Sequence, residues 1–320
     1  MTLSVANMSC RSWRTISCHW GVFLVHVVMA SSLTIASAVV SGCLAHSPPS
    51  PTALGNMGVN INSSQNEYAP VLRDSATLIF TTNRIEPEKT GLREALSPNH
   101  QAQLYLSMRL GLEWDTASHY ELLLRQGSRT DVATITFPPT PNLLNALAYI
   151  AGCDNEEGGS GCDIFMIPTG DQEPISPGLG INSKGWDGHP FATADGTRLY
   201  FASDRPGGFG GTDIWFVERN ESGLWGEPQN AGAPINTSGD ELSPFLDSRT
   251  GDFYFAASTT RDSLDIFVFR ARGERREALP PPYNSAAGEI TPFITGGRLY
   301  LSSNRDGGCG GYDLYSFPLR

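Results

Sequence analysis

The feature that most constrains the fold is a strand-rich unit that the chain repeats. Residues 189–217 read HPFATADGTRLYFASDRPGGFGGTDIWFV, and residues 290–317 repeat the pattern as ITPFITGGRLYLSSNRDGGCGGYDLYSF. In both, glycine-containing turns separate aromatic and β-branched runs, which is typical of antiparallel hairpins. One such unit is too small to bury both faces of its sheet, so the repeats must pack against one another.

Three further units are recognisable. Residues 242–269 keep the proline, the aromatic strand and the aspartate but lack the loop glycines, and two weaker units lie within 67–126 and 131–180. Pro190, Pro244 and Pro292 are 54 and 48 residues apart. Strand-rich units at a period of about 40–55 residues indicate propeller blades of four strands each. We predict an all-β chain forming a five-bladed β-propeller of four-stranded antiparallel blades, with six blades as the alternative.

The ends of the repeat region predict how the ring closes. Similar connectors introduce four of the units and begin at Ile61, Ile181, Ile235 and Tyr283. The fifth unit stops after its third strand, whereas residues 52–58 precede the first connector, where other blades have their outer strand. We predict that this N-terminal segment supplies the fourth strand of the last blade, which leaves no exposed sheet edge. The alternative is that residues 52–58 are a linker.

The pattern PxF…G…LYFxSDRPGGxGGxDIW resembles the WD-like propeller repeats of the TolB type. The likeness is greatest to the copies found in bacterial envelope lipoproteins, which are often fused to an OmpA-like peptidoglycan-binding domain. It covers roughly residues 52–320 and is most specific in the third and fifth units. TolB itself has six blades and a separate N-terminal domain, and neither is recognisable in this sequence. The resemblance implies a non-enzymatic binding platform.

The N-terminus has the pattern of a secretory signal. Arg11 and Arg14 precede an apolar run at residues 21–40, and small residues lead directly to Cys43. Small residues before a cysteine resemble the bacterial lipobox. We therefore expect a lipoprotein signal peptide at 1–42, a lipidated Cys43 with a Pro/Ser tether at 43–51, and the propeller at 52–320. An uncleaved transmembrane anchor is the alternative. An outer-membrane lipoprotein is expected, on either the periplasmic or the cell-surface side.

The net charge restricts the classes of binding partner. The chain has a net charge of −11, and removal of residues 1–42 takes away two arginines and no acid, which gives −13. Such a chain has no basic footprint for nucleic acid and no polybasic patch for anionic lipid. The expected partners are envelope proteins, including peptidoglycan-associated ones, with the membrane reached through the lipid anchor alone. The propeller is expected to be monomeric.

The cysteines that remain in the mature propeller suggest an oxidising compartment. Cys153 and Cys162 flank an acidic loop at strand ends that face each other, which predicts a disulfide. A metal-binding pair is the alternative, although neither a second pair nor a nearby histidine supports it. Cys309 is expected to remain a thiol.

One aspartate recurs at the start of a strand in each clear unit. A carboxylate there accepts hydrogen bonds from backbone amides of the preceding loop, so blade architecture explains it better than a single site does. The glycine loops superficially resemble a calcium-binding nonapeptide but carry an extra glycine before the aspartate. We expect no metal and no cofactor. The recurring aspartates are Asp163, Asp213, Asp265 and Asp313.

Arginines at equivalent positions should lie at one end of the ring. Arg84, Arg205 and Arg305 each follow the second strand of a unit, and Phe209 and Tyr312 lie in the glycine loops. The forked donors of arginine suit a carboxylate or glycan ligand. Alternatively, the arginines pair with acids of neighbouring blades.

Catalytic motifs are not evident. The sequence contains no GxSxG elbow, HExxH helix or phosphate loop, and no two of its mature-chain histidines have metal-ligand spacing. We expect a non-enzymatic protein–protein interaction platform, with the loop insertion at 85–100 as recognition element or decoration. A glycan- or peptidoglycan-binding module is the alternative, and a divergent glycoside hydrolase with paired carboxylates in the channel is a third reading.

Overall fold

The computed structural model describes residues 54–84, 102–120, 130–138, 146–154, 161–170, 173–260 and 263–319. These residues form five antiparallel blades arranged as a β-propeller, which confirms the predicted fold and blade number. Within the described ranges, no helix is long and apolar enough to cross a membrane. The predicted signal peptide, Cys43, the tether and the loop insertion at 85–100 lie outside the described residues.

In each blade, the strands are numbered in chain order, beginning with the strand at the channel. The strands are β1 (Glu67–Leu72), β2 (Thr77–Thr82), β3 (Gln103–Leu110), β4 (Glu113–Trp114) and β5 (Ser118–His119) in blade 1; β6 (Thr130–Thr136), β7 (Ala146–Asp154) and β8 (Cys162–Pro168) in blade 2; β9 (Asp187–Ala192), β10 (Arg198–Ser203), β11 (Asp213–Glu218) and β12 (Gln229–Asn230) in blade 3; β13 (Glu241–Leu246), β14 (Phe253–Thr260), β15 (Ser263–Phe269) and β16 (Arg276–Ala278) in blade 4; and β17 (Glu289–Thr295), β18 (Arg298–Ser303) and β19 (Asp313–Pro318) in blade 5.

The core lies between blades, because each sheet is covered on both faces by its neighbours. Along β10, Leu199 and Phe201 pack with blade 2, whereas Tyr200, which points the other way, packs with Phe253 and Phe255 of blade 4. A strand buried on both faces is apolar at consecutive positions instead of alternating. This explains why LYFAS and LYLSS read as continuous apolar runs.

The N-terminal segment closes the ring as predicted. Asn56 bridges to Tyr315 of β19. The N–H of Met57 donates to the carbonyl of Leu314 at 3.0 Å, and the N–H of Ser316 donates to the carbonyl of Gly55 at 2.8 Å. These residues complete blade 5 and pair its edge, so the linker alternative is wrong for the described part of the segment, residues 54–58. In blade 2, a bridge between Met166 and Ile175 marks the outer strand in the same way.

Blade 1 carries an additional short strand. β3 continues to Leu110 and turns into β4, and β5 at Ser118–His119 also pairs with β3. The added β3–β4 hairpin extends the blade. The alternation of apolar and polar residues continues through Met108 and Leu110, but it does not show that these apolar side chains face solvent.

Candidate binding face

The glycine loops and the blade connectors meet at one end of the ring. Ser203 pairs with both Asp187 and Asp213, so the start of β9 lies beside the loop that joins β10 to β11. Ser303 pairs in the same way in blade 5. We call this end the glycine-loop face and the opposite end the hairpin-turn face. All five candidate contact residues predicted from the sequence lie in loops or strand starts at the glycine-loop face.

Each candidate arginine forms an ion pair with the acid that begins the first strand of its own blade. The arginine side chains are only 10–14% exposed, and the paired carboxylates are 0% exposed. The acids therefore come from the same blade, not from a neighbouring one. A ligand-contact role for the three arginines stays a prediction. The pairs are Arg84–Glu67 at 3.1 Å, Arg205–Asp187 at 2.7 Å and Arg305–Glu289 at 3.0 Å.

Arg205 shows what these arginines do structurally. Its guanidinium donates to Ser203 Oγ at 2.8 Å and to the carbonyls of Gly180 and Ile181 at 2.9 and 2.5 Å, in addition to Asp187. It also lies 4.9 Å from the ring centroid of Phe201, within cation–π range. We call this arrangement the arginine clamp. It ties the connector from the previous blade to the core of blade 3.

The buried carboxylates have a second set of donors in the connectors. The N–H of Ser183 donates to Asp187 at 2.5 Å, and Ser63 donates to Glu67 through both its N–H and its hydroxyl. A buried carboxylate is tolerated only when it is paired and hydrogen-bonded, and these connectors provide both conditions.

Blade 4 builds its clamp from an arginine that the sequence analysis missed. Arg276, on the outer strand β16, reaches Glu241 at 2.7 Å and the carbonyl of Ile235 at 3.2 Å. Its guanidinium lies 4.8 Å from the ring of Phe267. The available signal was the acid, because each of the four connectors has an Asp or Glu five residues after its asparagine, namely Glu67, Asp187, Glu241 and Glu289.

Blade 2 has a disulfide where the other blades have the clamp. Gly152 pairs with Val132, as Ser203 pairs with Asp187 in blade 3, so an aliphatic residue replaces the acid. Cys153 and Cys162 are bonded, with their Cα atoms 4.0 Å apart, which confirms the predicted disulfide. The bond joins the two ends of the loop between β7 and β8.

Asparagines of the connectors join neighbouring blades. The side chain of Asn236 accepts from the N–H of Ile214 at 2.9 Å and donates to its carbonyl at 2.8 Å, so it replaces a strand in the ladder. The sequence analysis recognised these connectors as repeats but assigned no role to the asparagine. The same two-bond contact recurs in Asn62 with Leu314, Asn182 with Ile164 and Asn284 with Ile266.

The recurring aspartates have the geometry expected of loop-amide acceptors in blades 3 and 5. Asp213 accepts from the N–H of Phe209 at 2.5 Å and Asp313 from that of Cys309 at 2.5 Å. Asn56 donates to Asp313 at 3.0 Å, as an asparagine of β12 does to Asp213. Burial raises the pKa of Asp313 to about 6, with the charge of a nearby glutamate adding to the rise.

In blade 4, burial raises the pKa of Asp265, and the charge of Glu289 raises it further. Asp163 of blade 2 pairs with Gly152 across β7 and β8. Both therefore occupy the strand position that the repeat predicted.

The loop glycines allow neighbouring blades to approach. A Cβ at Gly210 would lie 2.1 Å from the carbonyl oxygen of Gly239, and one at Gly310 would lie 1.8 Å from that of Gln65. The N–H of Gly211 donates to Gly239 at 3.0 Å. Close backbone packing thus accounts for the glycines. Among the residues that the structure describes, no group of three or more His, Cys, Asp or Glu is placed to hold a metal ion.

Two aromatic residues of these loops have different environments. Phe209 is 54% exposed, whereas Tyr312 is partly buried, with its ring centroid 5.4 Å from that of Tyr68. Asp204, which begins the Phe209 loop, and Asp240, which accepts from the N–H of Thr212 in it, are both exposed. The face around Phe209 is therefore acidic with one exposed aromatic ring.

The central channel is narrow. A cavity of about 50 Å³ lies between the first strands, and the residues lining it include no Asp or Glu. Ligand pockets for small molecules are typically about 300–1,000 Å³, whereas a liquid water occupies about 30 Å³. The cavity therefore holds a few waters at most, and paired carboxylates are not among its lining residues.

A histidine and a serine meet in this channel. Ser243 donates its N–H to His189 Nδ1 at 3.1 Å, and its Oγ lies 3.0 Å from the same nitrogen. Because a backbone N–H donates to it, Nδ1 carries no proton, and burial lowers the pKa of His189 to about 4. Such a pair has the reach of a nucleophile and base. However, Ser243 is only 7% exposed, and the cavity that it lines has a volume of only about 50 Å³.

Comparison with known proteins gives distant structural likenesses only. No protein-family profile matches the chain, and no curated protein sequence matches it. Among solved structures, it is similar to a putative TolB from Agrobacterium tumefaciens, with 13% identity over 79% of this chain and 82% of that one, at a TM-score of 0.44.

Two enzymes show a similar likeness. An endo-arabinase from Bacteroides thetaiotaomicron has 12% identity over 84% of this chain and 98% of its own, at a TM-score of 0.46. An α-L-arabinofuranosidase from Lactobacillus brevis has 11% identity over 83% and 94%, at a TM-score of 0.48.

Proposed function

We propose that the protein is a non-enzymatic, lipid-anchored propeller of the bacterial envelope that binds a protein partner through its glycine-loop face. The observation that supports this most is the size of the central cavity, about 50 Å³ without a lining carboxylate. A small-molecule substrate needs several times that volume. Binding is therefore assigned to the surface of the face and not to a pocket.

The face offers features of a protein-binding surface. Phe209 is 54% exposed at the tip of a loop that Asp213 and the Gly239 connector hold from both sides. Aromatic side chains on a fixed backbone are frequent anchors of interfaces, because they bury a large area at little entropic cost. Exposed Asp204 and Asp240 beside it favour a partner that presents basic groups.

The arginines fit this proposal as supports of the face. The guanidinium of Arg205 is engaged by the connector and by a buried acid, so it fixes the start of the loop that carries Phe209. A glycan site would instead need arginine donors directed to solvent beside stacked aromatic rings.

The test is crosslinking of the full-length tagged protein in cells, followed by purification and mass spectrometry. Phe209→Ala is compared with Leu224→Ala, because Leu224 is 57% exposed but lies on a turn of the hairpin-turn face. We expect a specific envelope protein to co-purify with the parent. Phe209→Ala should lose it, because the substitution should weaken the binding free energy by about 2 kcal/mol or more. Leu224→Ala should retain it.

Two results would count against the proposal. Equal retention by both variants would show that the glycine-loop face is not the interface. Recovery of peptidoglycan or polysaccharide fragments without a protein would favour the glycan-binding alternative.

A further inference from the structure

An apolar row on β3 runs out of the core into solvent. Leu104 and Leu106, at alternate positions of the strand, pack against blade 2. The next residues on that side, Met108 and Leu110, are 52% and 64% exposed, and Leu112 in the following turn is 90% exposed. Three large apolar side chains are therefore presented at the tip of one hairpin.

The hairpin holds these side chains outward. Arg109 pairs with Trp114 and Leu110 with Glu113, so the turn consists of Gly111 and Leu112. The guanidinium of Arg109 lies 5.7 Å from the ring of Trp114, on the side of the strand opposite Leu110. A single exposed apolar residue is ordinary, whereas a cluster marks an interaction surface.

The tip lies at the same end of the ring as the point where the chain enters it. β3 and β19 are third strands of adjacent blades and run in the same direction, so Leu110 and Pro318 both lie at the hairpin-turn face. Gly55 pairs with Ser316 near the end of β19, which places the preceding Leu54 at this face. Leu54 is itself 74% exposed.

Blades 5 and 1 are direct neighbours. The N–H of Glu67 donates to the carbonyl of Tyr312 at 2.7 Å, and Asn60 donates to the carbonyl of Trp114 at 2.9 Å. Met57, three residues after Leu54, and Trp114 of β4 pack against one hydrophobic cluster. The entry of the chain and the hairpin are thus parts of one junction.

The length of chain before Leu54 identifies what covers the tip. Only 11 residue steps separate Cys43 from Leu54, which is at most about 40 Å of extended chain. A protein anchored at Cys43 therefore keeps this junction within about 40 Å of the bilayer, so the hairpin tip can reach the membrane surface. We propose that Met108, Leu110 and Leu112 insert into the surface of the membrane that carries the protein. This inference rests on the lipid anchor of the proposed function.

The chemistry of the tip suits a lipid surface. Each leucine or methionine that enters the acyl region gains the free energy of apolar burial, and a short hairpin with polar flanks lies naturally at the interface. The anchor brings the tip to the membrane, and the tip then fixes the orientation of the ring.

The test places a fluorophore on the hairpin of the full-length protein. Leu112→Cys is labelled with NBD and reconstituted into vesicles of phosphatidylethanolamine and phosphatidylglycerol that contain doxyl-labelled lipid. Leu224→Cys, on the same face in blade 3, is the matched control, and the unsubstituted protein gives the background of Cys309. We expect a blue shift and loss of emission by doxyl quenching at position 112, and neither at 224.

Each other outcome has a defined meaning. Protein that floats with the vesicles while the label at 112 stays in water overturns the hairpin assignment and leaves the anchor intact. Equal quenching at 112 and 224 also overturns it, because the contact would then be the whole face. Protein recovered from the soluble fraction of cells with Cys43 intact overturns the anchor and the hairpin assignment together.

Discussion

Blades 2 and 3 hold the same loop position by different chemistry. In blade 3, Arg205 and the fully buried Asp187 join the connector to the core, whereas in blade 2 a disulfide joins Cys153 to Cys162 and Val132 replaces the acid. A buried ion pair requires both partners and all their hydrogen bonds, while a disulfide acts mainly on the unfolded chain. Within one ring, the repeat therefore conserves the position of the constraint but not its chemistry.

The largest effect should come from breaking the clamp. Arg205→Met leaves the carboxylate of Asp187 buried without its cation, so we expect a loss of about 3–5 kcal/mol in the free energy of unfolding. The measurement is chemical denaturation at neutral pH. Asp187→Asn combined with Arg205→Met should recover part of the loss, because the uncompensated charge is then absent.

The control for this prediction is Arg198→Met. Arg198 and its partner Glu218 are 44% and 45% exposed, and exposed pairs contribute about 0–1 kcal/mol. An effect of Arg205→Met as small as that of Arg198→Met would mean that the clamp is not what holds the connector.

The disulfide should contribute somewhat less. The bonded cysteines are nine residues apart, and closing a loop of this size stabilises a fold by about 2–3 kcal/mol in the chain-entropy description. We expect Cys153→Ser combined with Cys162→Ser to lower the free energy of unfolding by that amount. A reducing agent should produce the same loss in the parent protein and none in the double variant. A reductant effect in the double variant would place the sensitive group elsewhere.

The contrast between these blades also shows what the sequence could predict. The repeat period and the turn residues were sufficient to predict five blades. The position of residues 52–58 before the first connector was sufficient to predict how the ring closes. Cys153 and Cys162 were predictable because a hairpin places its ends together. In each case the signal is local or periodic along the chain.

Contacts that depend on packing between distant segments were not predictable. Arg276 joins the clamp of blade 4 from the outer strand, 35 residues from Glu241, so no repeat register reveals it. The apolar hairpin tip at Leu110 and Leu112 was missed because exposure is a property of the assembled ring. Likewise, the narrow channel depends on how closely five first strands approach one another.

The smallest of the three predicted effects on the free energy of unfolding depends on pH, and it again distinguishes blade 3 from blade 2. His189 lines the channel in blade 3, where blade 2 has Thr134 and Thr136. Burial lowers the pKa of His189 from 6.5 to about 4, so between these values the unfolded chain binds more protons than the folded one. Stability from this group is therefore present above the unfolded pKa and is lost as the pH falls towards about 4.

His189→Ser isolates this contribution, since Ser243 occupies the equivalent position of blade 4 with a similar φ of 54° against 49°. Between neutral pH and about pH 5, the parent should lose about 2 kcal/mol relative to the variant, measured by denaturation at each pH. Asp313 acts in the opposite direction, because its raised pKa favours the folded state at low pH. It is present in both proteins and cancels in the difference. A difference that stays constant with pH would mean that the channel keeps the imidazole hydrated.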